Sequence, residues 1–140
     1  AITTDIMVGF PTETEEDFLD TLRAVEDIKF HNAFMFVYSP RTGTQASKMP
    51  QLPNKIKKER ITRLVGMQNG ISQNISQKYI GKTYEVLIED TIKGSNKVCG
   101  RTDNGRLVSM AGERELIGKF VNVNIITTKG SSLIGEIEND

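Results

Sequence analysis

The first eighteen residues combine an uninterrupted apolar run with an abrupt turn and an acidic helix start. Residues 6–8 carry no polar side chain, which is typical of a parallel strand covered on both faces. Gly9 and Pro11 end that strand. Thr14, with Asp17 three residues later, resembles a capping box at the first turn of a helix. The segment is predicted to be one βα unit, either purely structural or with a ligand at the carboxyl end of its strand.

A helix and a second apolar strand follow. Apolar residues recur at helical spacing through residues 14–29. Residues 33–38 are apolar throughout and lead into Ser39-Pro40-Arg41. Two buried strands joined by a helix form a βαβ crossover, so the loops after the two strands are expected to be neighbours on one rim. Arg41 carries a planar donor fork suited to a carboxylate or phosphate, with a surface salt bridge as the alternative.

A longer helix is predicted from about Lys55 to Tyr79, with Asn54 as its N-cap. Its first turns are strongly basic. We expect these cations on a solvated helix face, with a nucleic-acid contact as the alternative. The basic residues are Lys55, Lys57, Lys58, Arg60 and Arg63.

From Lys82 onward the helical pattern disappears and alternation of apolar and polar residues replaces it. Tyr84, Val86 and Ile88 alternate with polar neighbours, and residues 98–102, 107–110, 120–126 and 133–137 are further strand-like runs. Asn104-Gly105 is a strong hairpin signal between two of them. Five short strands predict a small antiparallel β-barrel close to the oligonucleotide-binding class. The predicted fold class is therefore α/β followed by all-β.

Composition excludes several function classes. The chain has 140 residues, with 18 basic and 18 acidic side chains, so its bulk charge favours neither nucleic acid nor a membrane surface. No apolar run approaches the roughly 20 residues of a membrane span. Cys99 is the single cysteine, so an intrachain disulfide and a multi-cysteine metal site are excluded and a reducing compartment is favoured. The chain opens on a strand-like run, which we interpret as a sign of a preceding segment.

Cationic and polar residues near the barrel loops predict an RNA interface. Glutamates and aspartates offset them in the total, so binding depends on segregation of charge between faces. Tyr84 and Phe120 are the barrel's candidates for stacking on bases. The candidate RNA-binding residues are Lys93, Lys97, Arg101, Thr102, Asn104, Arg106 and Lys119.

Several motifs in the same order resemble the radical S-adenosylmethionine methylthiotransferases. Residues 4–18 are similar to a late strand and turn of that family, and residues 38–44 to its next strand end. Residues 57–60 and 79–82 resemble the linking helix and its exit, and residues 100–104 with 116–119 resemble the family's C-terminal TRAM domain. Thr12 and Thr42 depart from the Gly and Pro usual in the family.

The resemblance implies the fold and function of each part. Residues 1–79 would be the end of a radical S-adenosylmethionine domain, a partial (β/α) barrel with its linking helix, and residues 80–140 an OB-like TRAM domain. The family uses S-adenosylmethionine and two 4Fe-4S clusters, whose cysteine ligands would lie upstream of this chain. No catalytic or metal-ligating residue is therefore expected here, and we expect the polypeptide to be inert by itself.

The resemblance also implies the sites and the partner. The cofactor wall would be formed by Gly9, Phe10, Pro11, Tyr38, Ser39, Pro40 and Arg41. The barrel would bind the anticodon stem-loop of a tRNA in the cytoplasm, and the full protein would add a methylthio group to isopentenylated adenosine. The alternatives are an enzyme acting on threonylcarbamoyl-adenosine or on a ribosomal protein, and a non-catalytic RNA-binding module. The sequence leaves the oligomeric state open.

Overall fold

A computed structural model describes residues 1–138 of the chain. The chain divides into two compact units, one formed by Ile2–Ile71 and one that begins at Ser72. The first unit contains β1 (Thr3–Val8), α1 (Glu15–Ile28), β2 (Asn32–Val37), a short 3-10 turn (Ala46–Lys48) and most of α2 (Asn54–Gln77). The last turns of α2 belong to the second unit, so the division falls earlier than the predicted boundary between residues 79 and 80.

The predicted βαβ unit is confirmed. β1 pairs with β2 in parallel register from Thr3 opposite Asn32 to Val8 opposite Val37. Thr14 caps α1 through both halves of a capping box, because its Oγ1 accepts from the Asp17 N–H at 3.1 Å and the Asp17 carboxylate accepts from the Thr14 N–H at 2.8 Å. The capping box predicted from Thr14 and Asp17 is therefore complete.

The expectation that both strands are covered on both faces is wrong. The side of the sheet that carries Val8 and Ala33 is buried, and α1 and α2 supply the residues that cover it. On the opposite side Phe34 is 63% exposed, and Phe36 and Met7 are about half exposed. Within the described part of the chain, apolar residues on that face have no covering layer, so an apolar run did not mean burial on both faces. The core of this unit consists of Val8, Phe18, Leu22, Val25 and Leu64.

α2 differs from its prediction in its first turns. Asn54 is the first helical residue and not the N-cap, and the Pro53 carbonyl accepts from the N–H groups of Ile56 and Lys57. Lys57 and Arg60 were expected in solvent but are buried, with 6% and 4% of their surface exposed. They lie on the same helix face as Leu64, because residues three or four apart share one side of a helix. Their contacts define the first candidate site.

The second unit is a closed five-stranded barrel with the order β3-β4-β5-β7-β6. Its strands are β3 (Thr83–Ile92), β4 (Lys97–Thr102), β5 (Leu107–Ala111), β6 (Phe120–Lys129) and β7 (Ser132–Ile137). The barrel class is confirmed, but β5 and β7 pair in parallel whereas the other pairs are antiparallel. Five strands cannot alternate direction all the way around a closed circle, so one parallel pair is required.

Alternate residues of each strand fill the barrel interior, as the sequence alternation predicted. The strand residues of this core are fully buried or nearly so: Val86, Ile88, Val98, Val108, Met110, Val123, Ile125 and Leu133. Gly100 lies where β4 crosses close to β3, and a Cβ there would come within 2.0 Å of the Leu87 carbonyl oxygen. Only glycine permits this approach of the two backbones.

Candidate functional site

The two strand ends of the first unit meet on one rim, as predicted. The Tyr38 N–H donates to the Val8 carbonyl at 2.8 Å, which continues the strand pairing by one residue. Just beyond it, the rings of Phe10 and Tyr38 meet edge to face with centroids 5.1 Å apart. Tyr38 is buried, whereas Phe10 and Pro11 are half-buried. The aromatic contact therefore ties the two loops together.

Other residues of the same chain fix the conformation of Gly9. It is buried with φ of +79°, a left-handed conformation that favours glycine. A Cβ at this position would lie 2.8 Å from Cγ of Lys57, so the lysine stem fills the space that a side chain would need. The Gly9 N–H donates to Oε1 of Glu13 at 3.0 Å. The turn is thus closed by an internal acceptor, and its amide is already engaged.

A buried ion pair fixes that acceptor. Nη1 of Arg60 donates to Oε1 of Glu13 at 2.6 Å and to the Glu13 carbonyl at 3.0 Å. The two side chains are only 5% and 9% exposed. Glu15 lies farther from the guanidinium, 3.6 Å from its Nε, and is half exposed. Arg60 therefore positions Glu13, and Glu13 positions the Gly9 amide.

Lys57 makes the corresponding contact with the second loop. Its ammonium lies 5.4 Å from the centroid of the Tyr38 ring and donates to the Tyr38 carbonyl at a long 3.4 Å. The Tyr38 hydroxyl is buried and makes no hydrogen bond within residues 1–138. An open cleft of about 450 Å³ runs beside these groups. It is lined by Val37, Tyr38, Ser39, Pro40, Asn54, Lys57, Lys58 and Ile61.

The structure thus brings together only part of the predicted cofactor wall. Tyr38, Ser39 and Pro40 line the cleft, whereas Arg41 is exposed in the following turn, where its carbonyl accepts from Thr44. Sequence reasoning missed Glu13, Lys57 and Arg60. The available signal was the spacing of Lys57 and Arg60, which share the apolar stripe of α2 with Ile61 and Leu64.

The chain's own residues fit the implied cofactors unequally. Residues 1–138 contain no group of three or more His, Cys, Asp or Glu side chains that could hold a metal ion. Cys99 is a half-buried residue of β4. Iron–sulfur clusters are held by several cysteine thiolates, so this chain does not fit a cluster. For S-adenosylmethionine the residues present offer an open cleft lined by Tyr38, Ser39 and Pro40, although the unpartnered Tyr38 hydroxyl is itself buried.

In the barrel unit, a buried network organises the hairpin between β4 and β5. Oγ1 of Thr102 donates to Oδ1 of Asn104 at 2.6 Å and accepts from the Arg106 N–H at 3.0 Å. Nδ2 of Asn104 donates to the Tyr79 hydroxyl at 2.9 Å. The Arg106 guanidinium lies 5.4 Å from the Tyr79 ring centroid and donates to Oγ of Ser76 and to the Ser131 carbonyl.

This network changes the predicted roles of three RNA-binding candidates. Arg106 and Thr102 are both 5% exposed, and their polar atoms are used inside the protein. Asn104 is exposed, but its side chain also belongs to the network. The sequence predicted that Arg106 would bind RNA from the hairpin, but in the fold its side chain is buried against Tyr79.

The other four candidates are exposed cations: Lys93, Lys97, Arg101 and Lys119. Nε of Arg101 donates to Glu89 at 3.1 Å across β3 and β4. Tyr84, one of the two stacking candidates, packs on Tyr79 with ring centroids 5.0 Å apart, and burial raises the pKa of its hydroxyl. Phe120, the other candidate, is 64% exposed.

Comparison with known proteins finds relatives that match both units of the chain. Residues 77–137 match the TRAM domain family. The chain is 51% identical over 98% of its length to a tRNA-2-methylthio-N(6)-dimethylallyladenosine synthase of Acetivibrio thermocellus, of which it covers 29%. It is 49% identical over 97% of its length to the protein of the same name from Alkaliphilus oremlandii, again covering 29%.

A solved structure also matches part of the chain. The solution structure of a conserved protein of Methanococcus maripaludis is 30% identical, covers 43% of this chain and 80% of that one, and gives a TM-score of 0.37. No helix within residues 1–138 is both long and apolar enough to cross a membrane.

Proposed function

We propose that this chain belongs to the family of the tRNA-2-methylthio-N(6)-dimethylallyladenosine synthases and acts as part of a radical S-adenosylmethionine tRNA methylthiotransferase. The observation that carries the proposal is 51% identity over 98% of the chain, across both units. The chain spans about 29% of the length of that relative. The reaction therefore belongs to the whole protein, and two 4Fe-4S clusters would be bound by residues outside this chain.

The rim of the first unit would form one wall of the cofactor site. Tyr38, Ser39 and Pro40 line the cleft and would contact S-adenosylmethionine there. Gly9, Phe10 and Pro11 would contribute packing, while Arg41 would reach a charged group from the adjoining turn. When bound, S-adenosylmethionine supplies the radical and methyl chemistry. The residues of this chain only bind and orient it.

The barrel would hold the anticodon stem-loop of the tRNA in the cytoplasm. Lys93, Lys97 and Lys119 are exposed and would contact phosphates, which carry most of the affinity for RNA, whereas exposed Arg101, which donates to Glu89, would border the RNA. Asn104 would present its exposed edge to the RNA. Thr102 and Arg106 would act behind this surface by holding the hairpin in shape, since both are buried.

Nucleoside analysis tests the activity. We expect tRNA from cells lacking the gene to accumulate isopentenyladenosine without its methylthio group, and the complete gene to restore that group. Loss of the methylthio group from threonylcarbamoyl-adenosine, or from a ribosomal protein, would contradict the substrate assignment. The 140-residue chain alone should restore nothing, because it holds no cluster-binding cysteines.

Binding titrations test the RNA role separately. The chain should bind an anticodon stem-loop with an affinity that falls as salt rises. Lys97→Gln should reduce the salt slope by about one, because one phosphate contact is lost. Lys48→Gln, at an exposed position outside both the barrel and the basic run of α2, serves as the matched control. Equal slopes for the parent chain and Lys97→Gln would contradict the phosphate contact.

A further inference from the structure

Three neighbouring strands place a guanidinium, a leucine and a phenyl ring in one row on the outer surface of the barrel. In the strand registers, Leu87 of β3 lies opposite Arg101 of β4 on one side and opposite Phe120 of β6 on the other. Adjacent strands are about 5 Å apart, so the row is roughly 10 Å across. The three residues line one open cleft of about 290 Å³.

Phe120 is unusual for a barrel side chain. It is 64% exposed although its ring is wholly apolar, and its cross-strand neighbour Leu87 is only half-buried. Tyr84, the other aromatic candidate in this barrel, is committed to packing against Tyr79. Phe120 therefore offers an open aromatic face beside an aliphatic floor, which is the arrangement on which nucleobases stack.

The charged side chains around the row determine which chemical groups of a ligand can bind there. Arg101 is held by Glu89 at 3.1 Å, so its guanidinium is fixed but already paired. Glu85 and Asp103 line the same cleft. With one cation and three carboxylates, the cleft repels a phosphate group. Carboxylates accept hydrogen bonds from the exocyclic amino groups of adenine, cytosine or guanine, which uracil lacks.

We propose that this row, the Phe120 platform, binds one unpaired nucleobase that carries an amino group. The base would stack on Phe120 over Leu87, and its amino group would donate to Glu85 or Glu89. The phosphates would lie outside the row, on the exposed lysines. This inference rests on the proposed RNA binding and adds to it the position, chemistry and selectivity of a base contact.

Titration of the chain with single-stranded oligoadenylate, oligocytidylate and oligouridylate tests the platform. We expect oligoadenylate and oligocytidylate to bind more tightly than oligouridylate. Phe120→Ala should weaken oligoadenylate binding roughly 5- to 150-fold, the range for losing one stacked base, with an unchanged salt slope. Phe120→Leu should weaken it nearly as much because it keeps the apolar bulk but removes the ring. Phe120→Trp should retain the affinity.

Selectivity gives a second readout. Glu85→Gln should narrow the preference for oligoadenylate over oligouridylate, whereas Glu115→Gln, outside this cleft, should leave it unchanged. Phe120 is exposed, so its replacement should leave the circular dichroism spectrum and thermal midpoint of the chain unaltered.

The outcomes separate the platform from the broader proposal. If the parent chain binds RNA but Phe120→Ala and Phe120→Leu bind with parental affinity, the platform is wrong and the RNA role stands. If the parent chain binds the anticodon stem-loop but none of the three oligonucleotides, the platform is wrong and the RNA role stands, and if it binds none of these four RNAs, both are wrong. A Phe120→Ala variant that binds RNA normally but elutes at a different size on gel filtration would assign the row to a protein interface and overturn the base contact.

Discussion

The buried Glu13–Arg60 pair gives the sharpest test of how the rim is held. Glu13→Gln replaces the carboxylate by a neutral side chain of the same shape. It leaves the Arg60 guanidinium 5% exposed, with half-exposed Glu15, 3.6 Å away, as the nearest remaining carboxylate among the described residues. Removing one partner of a buried pair typically costs about 3–5 kcal/mol. Because Glu15 offsets part of this cost, we expect about 3 kcal/mol.

A double-mutant cycle separates the pair from its surroundings. Arg60→Met keeps most of the aliphatic stem but leaves the Glu13 carboxylate buried without a cation. The double variant buries neither charge, so it should recover part of the loss. We expect a coupling energy of about 2–3 kcal/mol, since the two groups are in direct contact.

Hydrogen exchange provides the local readout. The Gly9 amide donates to Glu13, so its exchange should accelerate in Glu13→Gln, together with a lower free energy of unfolding in urea. Glu16→Gln is the matched control, because Glu16 is exposed and lies on the same segment. If Glu13→Gln and Glu16→Gln have the same free energy of unfolding, or if the double-mutant cycle gives no coupling energy, the ion pair does not hold this loop.

Three further variants test separate features. Gly9→Ala should lower the free energy of unfolding in urea by about 1 kcal/mol or more beyond the loss in Gly43→Ala. Both glycines have positive φ, but only Gly9 contacts Lys57. Equal losses in the two variants would argue against that contact. Hydrogen bonds from Thr14 hold the pKa of Asp17 below its usual range, so its stabilisation is present above about pH 4 and is lost as pH falls through the lowered pKa. Asp17→Asn should therefore flatten the acid limb of a stability–pH profile, and an unchanged limb would refute this. Arg106→Met should lower the stability of the barrel by about 1–3 kcal/mol in thermal unfolding, because the Ser131 carbonyl loses its hydrogen-bond donor. A loss of stability no larger than the loss in Arg101→Met, at an exposed position, would show that the network does not stabilise the barrel.

Much of the backbone plan was predictable from the sequence because it depends on local signals. Thr14 and Asp17 marked the start of α1, and strict alternation marked the barrel strands. The Asn104-Gly105 pair lies between β4 and β5 as predicted, but the loop spans residues 103–106, and of the pair only Gly105 has a positive φ, so it is not the two-residue turn that Asn-Gly favours. The adjacency of the two rim loops also followed, since parallel strands bring their carboxyl ends together.

The candidate site was less predictable because burial of a charge depends on distant residues. Arg60 is buried because Glu13, 47 positions earlier, meets it, and Arg106 because Ser76 and Ser131 supply acceptors. Sequence rules assign long cations to solvent, so they placed Arg106 against RNA and Lys57 in water. The only local sign of a buried cation was a basic residue on the apolar stripe of a helix, and this sign was present in α2 alone.

The sequence by itself determined the elements and their order, because periodicity, caps and turn residues act within a few positions. Tertiary structure alone decided which cations turn inward, which sheet face stays open and which strand pair is parallel. Those outcomes depend on contacts between residues far apart in the chain and on the closure of five strands into a ring. They also decide which side chains remain at the surface, and Phe120 is the clearest case.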